Sequence, residues 1–211
     1  MTNLTTNDFT DILEGRRSIR QYDPKVSISR EEMLEMLNEA AKAPSSVNMQ
    51  PWRFLIVQSE EGRATLKPLI RFNKRQNKSS SAMIVVFGDM RCYEYADRIY
   101  TESAEKGIMP KLMAKTQLSV IVPTYRKYDR AKMNDVVKID SSLFAMQFML
   151  VARSHGYDTN PIGGFEEDRI AEAFGLDAER YVPVLIMSIG KADSEGHTSF
   201  RLPAEELTWW R

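Results

Sequence analysis

Hydrophobic and polar positions alternate along the chain with two clear periods. Residues 8–15 predict a short first helix. Residues 29–42 predict a stronger one: Ser29 and Glu32 form a capping box, and Ile28 with Met33 makes a hydrophobic staple. Leu34, Leu37, Ala40 and Ala41 fall on one face of that helix. "APSSVNMQPW" at 43–52 reads as a loop stiffened by Pro44 and Pro51. "RFLIVQ" follows as a strand. A helix near 60–70 precedes "AMIVVFGD" at 82–89, whose unbroken apolar run suits a strand covered on both faces.

Residues 91–130 are charged and aromatic and predict helical excursions between core elements. The longest helix is expected over 134–155, apolar on most of its circumference and stopped by Gly156. Asp140 would then stand at its N-terminus, stabilised by the helix dipole, with His155 near its C-terminus. "TNPIGGF" at 159–165 reads as a loop, and a helix carrying Asp168, Ile170, Ala171 and Phe174 ends at Gly175. "YVPVLIMSIG" at 181–190 is a third strand, and Pro183 argues for an edge position or a strand beginning. Helices and strands mix in one chain, with no internal repeat. Three strands are too few for a large sheet, so either others are hidden or a second chain completes it.

Composition narrows the function. The chain has 211 residues, 43% apolar and 27% charged, within the range of an ordinary globular protein. Lys plus Arg and Asp plus Glu number 29 each, which argues against nucleic acid or an anionic membrane as partner. Cys92 stands alone, so neither an intrachain disulfide nor a cysteine metal site is available. No secretory signal and no uninterrupted apolar span is visible, and a cytoplasmic location is expected.

Against this neutral background "EGRRSIRQYDP" concentrates charge: Arg16, Arg17 and Arg20 surround Ser18 at a helix exit. Guanidinium forks in such number match the charge and oxygen geometry of a phosphate monoester. A solvated helix end, favoured by the dipole, is the plainer explanation. Pro44, Ser45, Ser46, Asn48 and Gln50 offer donors and acceptors at near-alternate positions, as reading the edge of a flat heterocycle would require. Local backbone capping would explain the same residues. Gly163 and Gly164 permit close approach of a ligand, or positive φ. No glycine-rich phosphate loop of the dinucleotide or nucleoside triphosphate type is present.

Taken in order, "RRSIRQY" at 16–22, "APSSVNMQPWRF" at 43–54, "PIGGF" at 161–165 and "FRLPAEEL" at 200–207 resemble the nitroreductase family of flavoproteins. The resemblance implies one domain over 1–211 of α+β class. It would be a three-layer sandwich whose central, mostly antiparallel mixed sheet is wrapped by helices and completed by the C-terminal arm of a dimer partner. It implies a homodimer with FMN at the subunit interface. Arg16, Arg17, Ser18 and Arg20 match the family's basic motif, and Arg201 a late phosphate contact. Pro44, Ser45, Ser46, Asn48 and Gln50 match a loop reaching the flavin of the other subunit. Pro161, Ile162, Gly163 and Gly164 match the segment near flavin N5, and Asn73 a polar residue near the pyrimidine.

The implied activity is passage of hydride from NADPH or NADH through flavin N5 to a nitroaromatic, quinone or similar small acceptor, in ping-pong order. No side chain need act as acid or base, so no catalytic residue is nominated, and no metal is expected. Residues 91–130 would cover the open flavin face. Relatives on this scaffold also dehalogenate, destroy flavin or dehydrogenate a bound ring, and a non-enzymatic flavin sensor is a further alternative. Trp209 and Trp210 are expected to pack on the core or on the other subunit.

Overall fold

The computed structural model describes residues 4–211. Its eight helices are α1 Phe9–Gly15, α2 Arg30–Ala40, α3 Glu60–Leu66, α4 Lys74–Ser79, α5 Ala96–Glu105, α6 Lys111–Arg126, α7 Arg130–Ser154 and α8 Glu167–Ala173. The strands are β1 Trp52–Val57, β2 Ala82–Asp89, β3 Asp158–Ile162 and β4 Tyr181–Gly190, in spatial order β1-β2-β4-β3 with every pairing antiparallel. The class is α+β.

The sheet is the middle of three layers, and β2 shows why. Ala82, Ile84 and Val86 enter a core with Met36 and Leu37 of α2 and with Phe144, Phe148 and Ala152 of α7. The alternate residues Met83, Val85 and Phe87 enter the opposite core with Leu66, Leu69, Ile70, Phe165 and Ile170. Both faces of the strand are therefore dry, as its continuous apolar run predicts. A third cluster joins α5, α6 and the first half of α7 through Tyr100, Ala114, Ile121, Tyr125, Met133 and Val137. It accounts for residues 91–130 as two packed helices.

Several expectations need correction. The first half of "TNPIGGF" is strand β3, the hidden fourth strand. Its Asp158, Thr159 and Asn160 are buried but polar, so they carry no hydrophobic signal. Strand β4 is an inner strand, but Pro183 sits near its beginning, before Ile186, where β4 pairs with β2 and not yet with β3, so the expected strand beginning holds. The proline is tolerated because the register slips there: Val86 faces Leu185 while Phe87 faces Pro183, leaving Val184 as the extra residue of a bulge. Ser29 caps α2 through the Glu32 amide at 3.1 Å, but the Glu32 carboxylate accepts instead from Tyr157 Oη at 2.9 Å. Leu34 is exposed, and Met33, Met36, Leu37 and Ala40 form the buried face.

Helix α7 starts at Arg130 behind an Asp129 cap, so Asp140 lies well inside it and is no N-terminal residue. His155 caps the other end of the same helix, yet its ring is buried and its Nε2 lies 3.2 Å from Glu39 Oε2 of α2. Gly156, with φ of 83°, stops the helix as expected, and the Tyr157 amide reaches back to Ala152 O. Trp209 and Trp210 are exposed and do not pack on this chain's core.

Candidate cofactor site

The basic motif leaves α1 at its C-terminus and runs past the edge of the sheet. Ser18 bridges Thr159 of β3 in parallel, and the Ile19 amide donates to Thr159 O at 3.1 Å. Tyr22 continues the run: its amide donates to Ser79 Oγ of α4, and its hydroxyl lies 2.8 Å from Ser188 Oγ. Burial pushes that phenol well above its ordinary range. Ile19 and Tyr22 are thus sunk in the protein while Ser18 and Arg20 face outward.

The tail returns to the same place. A cavity of about 400 Å³ is lined by Arg16, Arg17 and Ser18 together with His197, Thr198, Ser199 and Arg201. Residues nearly two hundred positions apart in sequence bring three guanidiniums and several hydroxyls to one concave surface. Arg17 also acts locally. Its Nη1 donates to Glu14 O and to Arg16 O, the latter at 2.9 Å, capping the exit of α1. The plain reading of the cluster therefore holds for Arg17 in part.

Strand β3, which Ser18 bridges at Thr159, leads on to the paired glycines. Pro161 and Ile162 end the strand, and a Cβ on Gly163 or Gly164 would meet only open space. Neither glycine has positive φ, so of the two uses open to them the structure shows room rather than a left-handed turn. The Arg71 amide donates to Gly164 O at 3.1 Å, and Ile70 bridges Phe165, so the chain meets this segment two residues before Asn73. Asn73 stands at the N-cap of α4 and accepts from Gln76 Nε2 at 2.9 Å.

The loop at 44–50 lies elsewhere in the chain. Asn48 and Gln50 line a different cavity, of about 490 Å³, with Arg53, Tyr95 and Arg98. The structure thus joins Arg16, Arg17, Ser18 and Arg201 in one cavity and sets Asn48 and Gln50 in another. Ser45 Oγ accepts from the Gln50 amide at 3.0 Å, so its hydroxyl is in part a local cap. Gln50 Nε2 donates to Asn48 Oδ1 at 3.2 Å, linking the two amides. Arg53 Nη1 holds Gln50 O at 3.0 Å, while its Nη2 pairs with the fully buried Asp89 at 2.9 Å.

Three residues that hold this loop are invisible to sequence reasoning. Asp140 accepts from the Ser46 amide at 3.0 Å and from Ser46 Oγ at 3.1 Å. Tyr100 donates to Val47 O at 2.9 Å, and Tyr125 to Ser46 O at 3.4 Å. Burial raises the Asp140 carboxyl above the ordinary carboxylate value, and its two bonds from Ser46 oppose that rise. No sequence spacing announces these contacts.

The donor set at the first cavity fits an organic phosphate, and the backbone at Gly163 and Gly164 is open to close approach by a flat group. The model of the family described as "Nitroreductase family" matches residues 13–191. The chain belongs to the nitroreductase family. The Bacillus subtilis protein YdgI, whose name assigns it provisionally to the NAD(P)H nitroreductases, is 51% identical over 99% of this chain and 100% of its own. The enone reductase of CLA biosynthesis from Lactiplantibacillus plantarum is 38% identical over 98% of this chain and 95% of its own. An Exiguobacterium sibiricum protein solved in complex with FMN is 54% identical, with a TM-score of 0.95 over 98% of this chain and 99% of that one.

Among the described residues no cluster of side chains could hold a metal ion, and no helix is long and apolar enough to cross a membrane.

Proposed function

We propose that this chain is an FMN-dependent NAD(P)H oxidoreductase that acts as a homodimer, with the whole chain as one flavin-binding domain. The observation that carries the reading is the cavity where Arg16, Arg17, Ser18 and Arg201 meet, with Ser18 bridged to β3, the strand that leads to the open Gly163 and Gly164. Arg16, Arg17 and Arg201 would hold the FMN phosphate by charge-assisted bonds, with Ser18 adding a hydroxyl. Arg20 and Asn73 would lie along the ring edge, and Pro161 to Gly164 would floor the ring. Bound FMN supplies hydride acceptance and donation, so the protein needs no acid or base of its own.

The acceptor is an electron-poor conjugated compound: a nitroaromatic, a quinone or an enone. The donor is NADPH or NADH, and it would share one exposed pocket with the acceptor in alternation. The cytoplasm, where both nucleotides circulate, is the proposed compartment.

Two features support a shared site. The basic cavity and the Asn48–Gln50 cavity are lined by different residues of one chain, as two halves contributed to different sites would be. Helix α7 exposes Ile139, Leu143 and Met146 along one face, and the tail exposes Phe200, Leu202, Trp209 and Trp210. Apolar surface in that quantity argues for cover by a second chain. The exchanged tail would lie across the partner.

Mixed dimers test this. One chain carries Arg201→Ala with Arg16→Ala, and the other carries Asn48→Ala with Gln50→Ala. Sharing places all lesions in one site and leaves the other intact, so a mixed dimer regains one tight FMN. A site built within each chain regains none.

A further inference from the structure

Residues 45–50 hold a backbone that their sequence does not favour. Val47, Asn48 and Gln50 have φ of 45°, 57° and 46°. Asparagine tolerates the left-handed region, but the branched Val47 is strained there. Such a run persists only where the surroundings over-determine it. Here they do, and from one direction. Tyr100 of α5, Tyr125 of α6 and Asp140 of α7 bind successive backbone and hydroxyl groups of Ser46 and Val47. Met49 is buried in the cluster formed by the same three helices.

Asp140 is an expensive choice for a purely structural post. It is 2% exposed, and a well-packed apolar residue there would stabilise the helix layer at least as well. What an apolar residue could not do is accept two bonds from Ser46 and so fix the start of the loop. The result is an exposed Asn48 whose amide is already linked to that of Gln50.

We infer that Asp140, Tyr100 and Tyr125 form a clamp that holds the 45–50 loop in its left-handed form before cofactor arrives. Asp140 and Tyr100 are positioning residues for recognition of the flavin ring. The inference rests on the proposed reading that this loop meets FMN. It gives α5 and α6 a role in recognition, apart from the cover expected of residues 91–130. They keep the loop ordered, so that binding does not bear the cost of ordering it.

The test uses the full-length protein with and without FMN, as wild type, Tyr100→Phe and Asp140→Asn. Backbone hydrogen exchange follows the amides of Ser46, Asn48, Met49 and Gln50, each of which donates a bond in the clamped loop. In wild type they are protected without FMN. In the variants they exchange about ten-fold faster, and the FMN dissociation constant rises about three- to ten-fold for Tyr100→Phe and more for Asp140→Asn. The visible band of the bound flavin shifts as well.

Unchanged loop exchange in both variants overturns the clamp. So does faster exchange with unchanged FMN affinity and spectrum, since the contacts would then be structural only. Tyr100→Phe removes one hydroxyl and decides the matter should Asp140→Asn fail to fold. Wild type that takes up no FMN refutes the flavin reading instead, and the positioning role falls with it, while the exchange comparison still judges whether the loop is clamped.

Discussion

Replacing Arg201 with alanine separates cofactor affinity from stability. The side chain lines the basic cavity, yet its hydrogen bond is a local one, from Nη1 to Phe200 O, one residue away, at 3.0 Å. Nothing buried depends on it, so Arg201→Ala should leave the stability of the flavin-free protein within about 0.5 kcal/mol. Its loss from a phosphate should cost about 1.5–3 kcal/mol of binding, roughly ten- to a hundred-fold in FMN affinity. Arg17→Ala should differ, because that side chain also caps α1 through Glu14 O and Arg16 O. It should weaken FMN and lower the unfolding midpoint together. Titrating each protein with FMN and with riboflavin, by flavin fluorescence, isolates the phosphate. Riboflavin lacks that group, so its affinity should be the same for wild type and Arg201→Ala. Equal weakening of both ligands, or of neither, would refute the assignment of this cavity to phosphate.

Three further outcomes are expected. Asp89 is fully buried and accepts from Arg53, from Arg180 at 2.9 and 3.0 Å and from the Arg91 amide. Asp89→Ala should cost about 3 kcal/mol in urea unfolding, the lower end for a broken buried pair because both guanidiniums keep some solvent contact; a loss below about 1 kcal/mol would mean that the pairs act like surface ones. A Cβ on Gly88 would lie 2.5 Å from Val137 Cγ2, so Gly88→Ala should destabilise by about 1–3 kcal/mol, and an unchanged denaturation midpoint would show that β2 and α7 are packed less closely than described. Burial, with the charge of Asp89 adding to it, pushes the Cys92 thiol from 9.0 up to about 12, so thiolate at pH 8 falls roughly a thousand-fold and iodoacetamide should label it only after unfolding. Rapid labelling of the folded protein would contradict this.

The parts legible in the sequence are those whose signal is local. Strand β2 announces itself because both its faces are dry, and α2 because its cap and staple lie within a few residues. Strand β3 does not, because buried Asp158, Thr159 and Asn160 look like loop residues when their hydrogen-bonding surroundings are unseen. The first turns of α7 are polar, so the pattern sets its start too late and makes Asp140 look like an N-terminal residue. At the site, the basic motif and the Ser–Asn–Gln loop stand out as short linear stretches. The clamp cannot, since its bonds join residues 53 to 94 positions apart. Nor does one chain display the relation between the two cavities, because under the shared-site reading it lies in the pairing of two chains.

The most direct test of the proposed activity is the visible spectrum of the FMN-loaded protein, taken without oxygen as NADPH and then NADH is added. Rapid bleaching by at least one of them, followed by return of the colour when a quinone, nitroaromatic or enone is supplied, is the predicted result. A flavin that binds but keeps its colour with both nucleotides would contradict the proposed oxidoreductase function.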